Sequence, residues 1–199
     1  MDVFFDLEFT GLHQHTSLIS IGCVAEDGRM FYAESTEYNT TQINPWLKEN
    51  VIANLQLGEL EPGHDDLPRM STSDKLWTIL GKEWQIRKWF KEWINFPGYG
   101  QVEMWGDVYA YDWMLFCELF DGPDPAERLP KNIYYIPFDI ATLMKIKGVD
   151  PDISREIFSG LPGLRRHNSL DDARLIQACH AKLILVSDVL GRNAAKALT

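Results

Sequence analysis

Asp2-Val3-Phe4-Phe5-Asp6-Leu7-Glu8-Phe9-Thr10-Gly11-Leu12 opens the chain with an apolar run that turns acidic and breaks at a glycine. Apolar residues this dense, with valine and phenylalanine prominent, predict a strand over residues 2–8 that stops at Phe9-Thr10-Gly11-Leu12. Side chains alternate along a strand, so Asp6 and Glu8 share one face and Leu7 takes the other. Two carboxylates about 6–7 Å apart on one face repel, which raises their pKa values or draws a cation, and such oxygen pairs suit hard divalent ions. A solvated strand end carrying two unrelated acids is the plainer alternative, and Asp6-x-Glu8 alone does not decide between them.

Outward from this strand, a polar link over residues 13–17 leads to Leu18–Ala25 and Met30–Glu34, joined by Glu26-Asp27-Gly28-Arg29. Asp-Gly between two such runs predicts a hairpin, so three strands open the fold. Residues 35–73 are polar and interrupted by Pro45, Pro62 and Pro68. They are expected to form a surface insertion with one short helix from about Pro45 to Leu55. A long helix is expected from Ser73-Asp74 to about Asn95, ahead of Pro97-Gly98, on the spacing of Leu76, Ile79, Leu80, Ile86, Phe90 and Trp93. Trp77 and Trp84, seven apart, would share one of its faces.

Beyond it the pattern predicts a strand at residues 102–106, a helix from Tyr109 to Phe120, a turn rich in Pro and Gly, and a strand at residues 133–136. Helices are expected at 138–147 and 152–158, with a long final one from Ser169 to about Leu190. This order is that of an α/β fold, a single domain over residues 1–199 whose mixed central sheet opens antiparallel and continues through parallel crossovers covered by helices.

Composition sets bounds on function. The 199 residues are 45% hydrophobic, enough for one sizeable core, and no stretch approaches 18 apolar residues, which argues against a membrane span. The first residues resemble no secretory leader, so a cytoplasmic protein is expected. Cys23, Cys117 and Cys179 stand alone in apolar stretches and read as reduced core residues. A net charge of −10 argues against a module that holds nucleic acid mainly by neutralising phosphates, but suits an enzyme that uses carboxylates to hold cations.

Two further stretches carry acids in telling positions. In Trp105-Gly106-Asp107-Val108-Tyr109-Ala110-Tyr111-Asp112-Trp113, Asp107 is placed to cap the following helix. Asp112 lies inside an aromatic and aliphatic helix, where a carboxylate is costly unless a cation or a donor meets it. In His167-Asn168-Ser169-Leu170-Asp171-Asp172-Ala173-Arg174, Asn168 or Ser169 can cap the last helix, and acids in its first turn suit the helix dipole without any chemistry. Capping does not account for His167, which can converge on the site addressed by Asp172. His180 reads as a packed core histidine, and His13, His15 and His64 have no such acidic partner.

Asp6-x-Glu8 with Thr10-Gly11-Leu12, then Gly106-(x)4-Tyr111-Asp112, then His167-x-Ser169-x-x-Asp172-Ala173, resemble in this order the three motifs of the DEDDh 3′–5′ exonucleases. The opening is most similar to the small stand-alone bacterial and phage exoribonucleases of that superfamily, and the resemblance runs from residue 2 to about 180. It implies a ribonuclease H-like fold, Asp6, Glu8, Asp112 and Asp172 as ligands of two Mg²⁺ or Mn²⁺ ions, and His167 as general base. The implied reaction releases 5′-mononucleotides from single-stranded RNA or DNA 3′ ends or 3′ overhangs. Phe9, Thr10 and Leu12 would meet the terminal nucleotide, and Arg165 and Arg166 the phosphates, with Lys82, Arg87, Lys88 and Lys91 as a further basic face.

Asp171, turned about 100° from Asp172, would be a bystander. Ser169 stands where alanine is usual, and Phe9 where a small or polar residue is common. A homodimer is expected by resemblance, and no membrane partner. The alternatives are a DNA-directed proofreading or repair exonuclease, a hydrolase of dinucleotides or small phosphodiesters, and a catalytically silent nucleic-acid-binding adaptor. The last of these predicts a missing ligand.

Overall fold

The opening run forms a central strand of a seven-stranded sheet in a computed structural model that describes residues 1–58, 67–95, 100–120 and 125–197. Strand β1 (Asp2–Phe9) pairs antiparallel with β2 (Leu18–Ala25), and β2 with β3 (Met30–Ser35). The hairpin expected at Asp27-Gly28 is present, with Gly28 at φ 86° and its N–H donating to the Ala25 carbonyl at 2.8 Å. After β3 the chain makes an excursion through a 3₁₀ turn at Thr40–Gln42, helix α1 (Pro45–Asn50) and a second 3₁₀ turn at Ile52–Asn54. Asn44 caps α1, accepting from the Leu47 N–H at 2.8 Å, and Pro45 fits the first helical turn.

The sheet then grows by β4 (Arg69–Thr72) and β5 (Leu76–Gly81), the latter parallel to β3 and antiparallel to β4. Helix α2 (Glu83–Ile94) leads to β6 (Glu103–Gly106), parallel to β1. Helices α3 (Ala110–Glu118) and α4 (Pro125–Arg128) precede β7 (Phe138–Asp139), parallel to β6. Helices α5 (Ile140–Ile146), α6 (Arg155–Ser159) and α7 (Ser169–Ala197) follow. The strand order β4-β5-β3-β2-β1-β6-β7 is the mixed α/β sheet expected of a ribonuclease H-like fold.

Three expectations are corrected. The single helix over residues 73–95 is instead a strand and a helix: Leu76, Ile79 and Leu80 belong to β5, and only residues from Glu83 onward are helical. Trp77 and Trp84 therefore share no helix face; Trp77 packs on Trp89 from the sheet, and Trp84 is half exposed on α2. The strand at 133–136 reduces to one bridge between Ile133 and Val102, and the outer strand is β7. The expected stop at Pro97-Gly98, the turn after Phe120, and Pro62 and His64 lie outside the described residues.

The two sheet faces are covered differently, and this positions the acids. Phe5 and Leu7 pack with Ile21, Phe31 and Ile79 against Ile86, Phe90 and Trp93 of α2 and Phe116 of α3. On the other face Phe4 packs against Ile140 and Met144 of α5 and Ile176, Cys179 and Leu183 of α7. Asp6 and Glu8 alternate onto this second face, in register with Gly22 and Ser20. Glycine is required at 22 because a Cβ there would overlap the backbone of Ser169 and Leu170. The close approach sets the first turn of α7 directly over β1 and β2. Ser169, fully buried, joins its hydroxyl to that of Ser20 at 3.0 Å, so the position where alanine is usual has found a partner. Cys23, Cys117 and Cys179 are buried and free. Among the described residues no helix is long and apolar enough to cross a membrane.

Candidate active site

Four carboxylates from three elements meet at the C-terminal end of β1. Period-two alternation brings Asp6 and Glu8 to one side, and the first turn of α7 brings Asp172 above them. One carboxylate oxygen from each of Asp6, Glu8 and Asp172 lies within 4.8 Å of the other two. Asp112 comes from the start of α3 and accepts a hydrogen bond at 3.0 Å from the Leu7 N–H, the peptide between the two strand acids. Among the described residues no Lys, Arg or His forms an ion pair with any of the four.

Burial without a counter-charge raises all four pKa values. Glu8 is pushed up to about 8 by burial and then by Asp172 and Asp112. Asp172 is pushed up to about 7, chiefly by burial, although the backbone N–H groups of His167 and Asn168 donate to it and pull the other way. Asp112 reaches about 6, with burial offset by the Leu7 N–H. Asp6 is raised well above the usual carboxylate range by burial and then by Asp112, Asp172, Glu8 and Asp107. An all-oxygen donor set whose members repel one another fits hard divalent cations such as Mg²⁺ or Mn²⁺. Asp6, Glu8 and Asp172 are the residues placed to share one ion, with Asp112 adjacent.

Stability should follow from these shifts with a definite sign. A carboxyl whose folded pKa lies above its unfolded value of about 4 holds a proton that unfolding releases, so stability falls as pH rises through the folded values. In EDTA the melting temperature should drop by on the order of 5–10 °C between pH 5 and 8. Millimolar Mg²⁺ should flatten that slope, because a cation replaces the protons. Melting curves that are independent of pH in EDTA would show that the four acids do not share a site.

His167 is half-buried at φ 56°, its ring 5.0 Å from that of Trp46, with the planes at 73°. Burial and then Arg166 lower its pKa, which favours neutral imidazole. His167 and Asp172 line a cleft of about 430 Å³ with Val108, Ser154, Arg155 and Arg166. Val108 and His167 are the two non-glycine residues at positive φ among those described, and both face this cleft. A β-branched residue at φ 51° is strained, and the Asp139 carboxylate holds Val108 there by accepting its N–H at 3.0 Å.

Asp107 does not cap α3, whose N-cap is Tyr109 with no side-chain bond. It instead accepts Nε and a terminal nitrogen of Arg155 at 2.7 and 2.8 Å, which fastens α6 beside the cleft. Asn168 caps α7, accepting from the Asp171 N–H at 3.3 Å. Asp171 turns away to Arg165 and Arg174, leaving Asp172 to the site.

The residues expected near substrate are distributed around this centre. Phe9 stacks on Tyr111, with centroids 5.8 Å apart, and Leu12 projects into solvent. Thr10 is buried and donates its hydroxyl to Gln42, so it shapes the loop. Arg166 lines the cleft and pairs with Glu156, whereas Arg165 is held by Asp171. Helix α2, with Arg87, Lys88 and Lys91, covers the opposite face of the sheet; Lys88 lies over Trp89 and Lys91 over Phe120. His180 packs against Phe4 and Trp105, as expected. The contact of Trp46 with His167 had no signal in the sequence, where the pair is separated by about 120 residues.

No family model matches the chain. Two proteins named 3′–5′ exoribonuclease, from Mycobacterium tuberculosis strains CDC 1551 / Oshkosh and ATCC 25618 / H37Rv, are each 30% identical to it over 198 residues, 98% of this chain and 100% of the relative. The chain belongs to the 3′–5′ exoribonuclease family. As a member of this family of enzymes it carries its acidic cluster where the first turn of α7 meets β1, with His167 in the turn just before α7.

Proposed function

We propose that this chain is a DEDDh-type exoribonuclease that removes 5′-mononucleotides from single-stranded RNA 3′ ends or overhangs. Asp6, Glu8, Asp112 and Asp172 hold two divalent cations, and His167 is the general base. The observation that carries this reading is the convergence of four half-buried carboxylates, with no basic partner among the described residues, beside a histidine, in a chain of this family. Bound there, Mg²⁺ or Mn²⁺ would supply Lewis-acid polarisation of the scissile phosphate. His167 takes a proton from the attacking water as its oxygen bonds to phosphorus. The bond from phosphorus to the 3′ oxygen breaks, that oxygen gains a proton, and the products are a nucleoside 5′-phosphate and a chain shorter by one with a free 3′ hydroxyl.

Phe9 with Tyr111 offers an aromatic platform and Leu12 an apolar edge for the terminal base, contacts that tolerate any sequence. Arg166, on the cleft wall, would meet phosphate. The test is a time course on 5′-labelled RNA and matching DNA, single-stranded and with a 3′ overhang, in Mg²⁺, Mn²⁺ or EDTA. Stepwise shortening from the 3′ end that needs metal and is faster on RNA is expected. Faster cleavage of DNA would shift the reading to a DNA-directed exonuclease, and no shortening by folded, metal-supplied protein would overturn it.

A further inference from the structure

His167 has a backbone conformation that costs free energy, so its surroundings must enforce it. Both neighbours are tied to one residue of the excursion between β3 and β4. Asn54 donates from Nδ2 to the Arg166 carbonyl at 2.8 Å, and Asn168 donates from Nδ2 to the Asn54 carbonyl at 3.0 Å. The next turn of chain is anchored in the same way: Gln56 donates from Nε2 to Asn168 Oδ1 at 3.0 Å. The excursion is in turn fixed to the sheet, because Glu34 of β3 accepts the N–H groups of Gln56 and Leu57 at 2.6 and 3.0 Å. The left-handed turn leads directly into α7, and His167 and Asp172 line the same cleft.

The ring has its own support. Trp46, on α1, meets the imidazole edge to face, yet remains 52% exposed and belongs to no core cluster. An imidazole on a surface turn otherwise samples several rotamers, and a large ring against one side removes those that swing toward it.

We propose that Asn54 and Trp46 are positioning residues for His167, Asn54 fixing the turn and Trp46 the ring, so that the base stands in the cleft beside Asp172 before substrate arrives. This rests on the reading of His167 as general base. It gives the excursion over residues 40–58 a role in the reaction, as the second wall of the histidine's seat.

The test compares kcat and KM on a short RNA for wild type, Trp46→Ala, Trp46→Phe and Asn54→Ala, and for Trp46→Ala in a His167→Asn background. Trp46→Ala should lower kcat by about 10- to 100-fold with KM changed less than about twofold, the scale of misplacing a reacting group. Trp46→Phe should restore kcat to within about threefold, because a phenyl ring can fill the same side. Asn54→Ala should lower kcat with the same unchanged KM. In the His167→Asn background, Trp46→Ala should change kcat less than about twofold, since the residue it acts through is gone. A loss carried by KM, or one of equal size in both backgrounds, would assign Trp46 to the substrate and overturn the proposal. The imidazole C–H resonances give a readout independent of activity: that of His167 should move in Trp46→Ala, and an unmoved resonance would equally overturn it. Failure of wild type to shorten any RNA would instead defeat the exoribonuclease reading, leaving the resonance shift to report the contact.

Discussion

Asp6→Asn is expected to shorten RNA about a thousandfold more slowly than wild type while making the metal-free protein more stable. Both effects follow from one carboxylate. Asp6 lies within reach of Glu8 and Asp172, and Asp112 and Asp107 add to the negative potential around it. On the proposed reading it is one of the central ligands of the cations, and losing several kcal/mol of charge stabilisation in the transition state lowers the rate by about three orders of magnitude. Without cations, the same group is either protonated against its preference or charged among like charges. An amide of the same shape escapes both, so in EDTA at pH 8 the variant should melt above wild type. The gap should close toward pH 4–5, where an unfolded aspartate also holds its proton. Single-turnover cleavage in saturating Mg²⁺ and melting in EDTA measure the two halves. Activity within tenfold of wild type would remove Asp6 from the centre. A variant that melts below wild type in EDTA would show that its carboxylate serves packing.

The convergence of these residues was largely legible in the sequence because its parts follow local rules. Alternation placed Asp6 and Glu8 together, an acid in an apolar helix marked Asp112, and a histidine ahead of a capped helix marked His167 with Asp172. The errors fall where local rules give two answers. Leu76, Ile79 and Leu80 fit helical spacing, but β5 lies between β3 and β4 and is covered on both sides at its end, so its apolar residues run together without alternating. Ser73-Asp74 looks like a helix cap, yet the Ser73 hydroxyl accepts the Leu76 N–H and turns the chain between β4 and β5. Asp107 sits where a cap belongs, but a partner 48 residues away, Arg155, claims both of its oxygens. The clamp of Asn54 and Trp46 on His167 depends entirely on how the excursion folds back, and no spacing encodes it.

His167→Asn should lower kcat by about 10²- to 10⁴-fold, the range for loss of a general base. Asparagine is the informative replacement because it tolerates positive φ, so the left-handed turn ahead of α7 survives. Alanine there would add backbone strain to the loss of the proton acceptor and confuse the two. Two controls separate the base from the ligands. Stabilisation by Mg²⁺ should be retained in His167→Asn and abolished in Asp6→Asn, since only the second removes an oxygen from the cluster. The acid limb of the rate profile, set below the usual histidine range by burial and Arg166, should vanish in His167→Asn. If rate and profile both persist, water is deprotonated elsewhere, and His167 is left only as part of the turn ahead of α7.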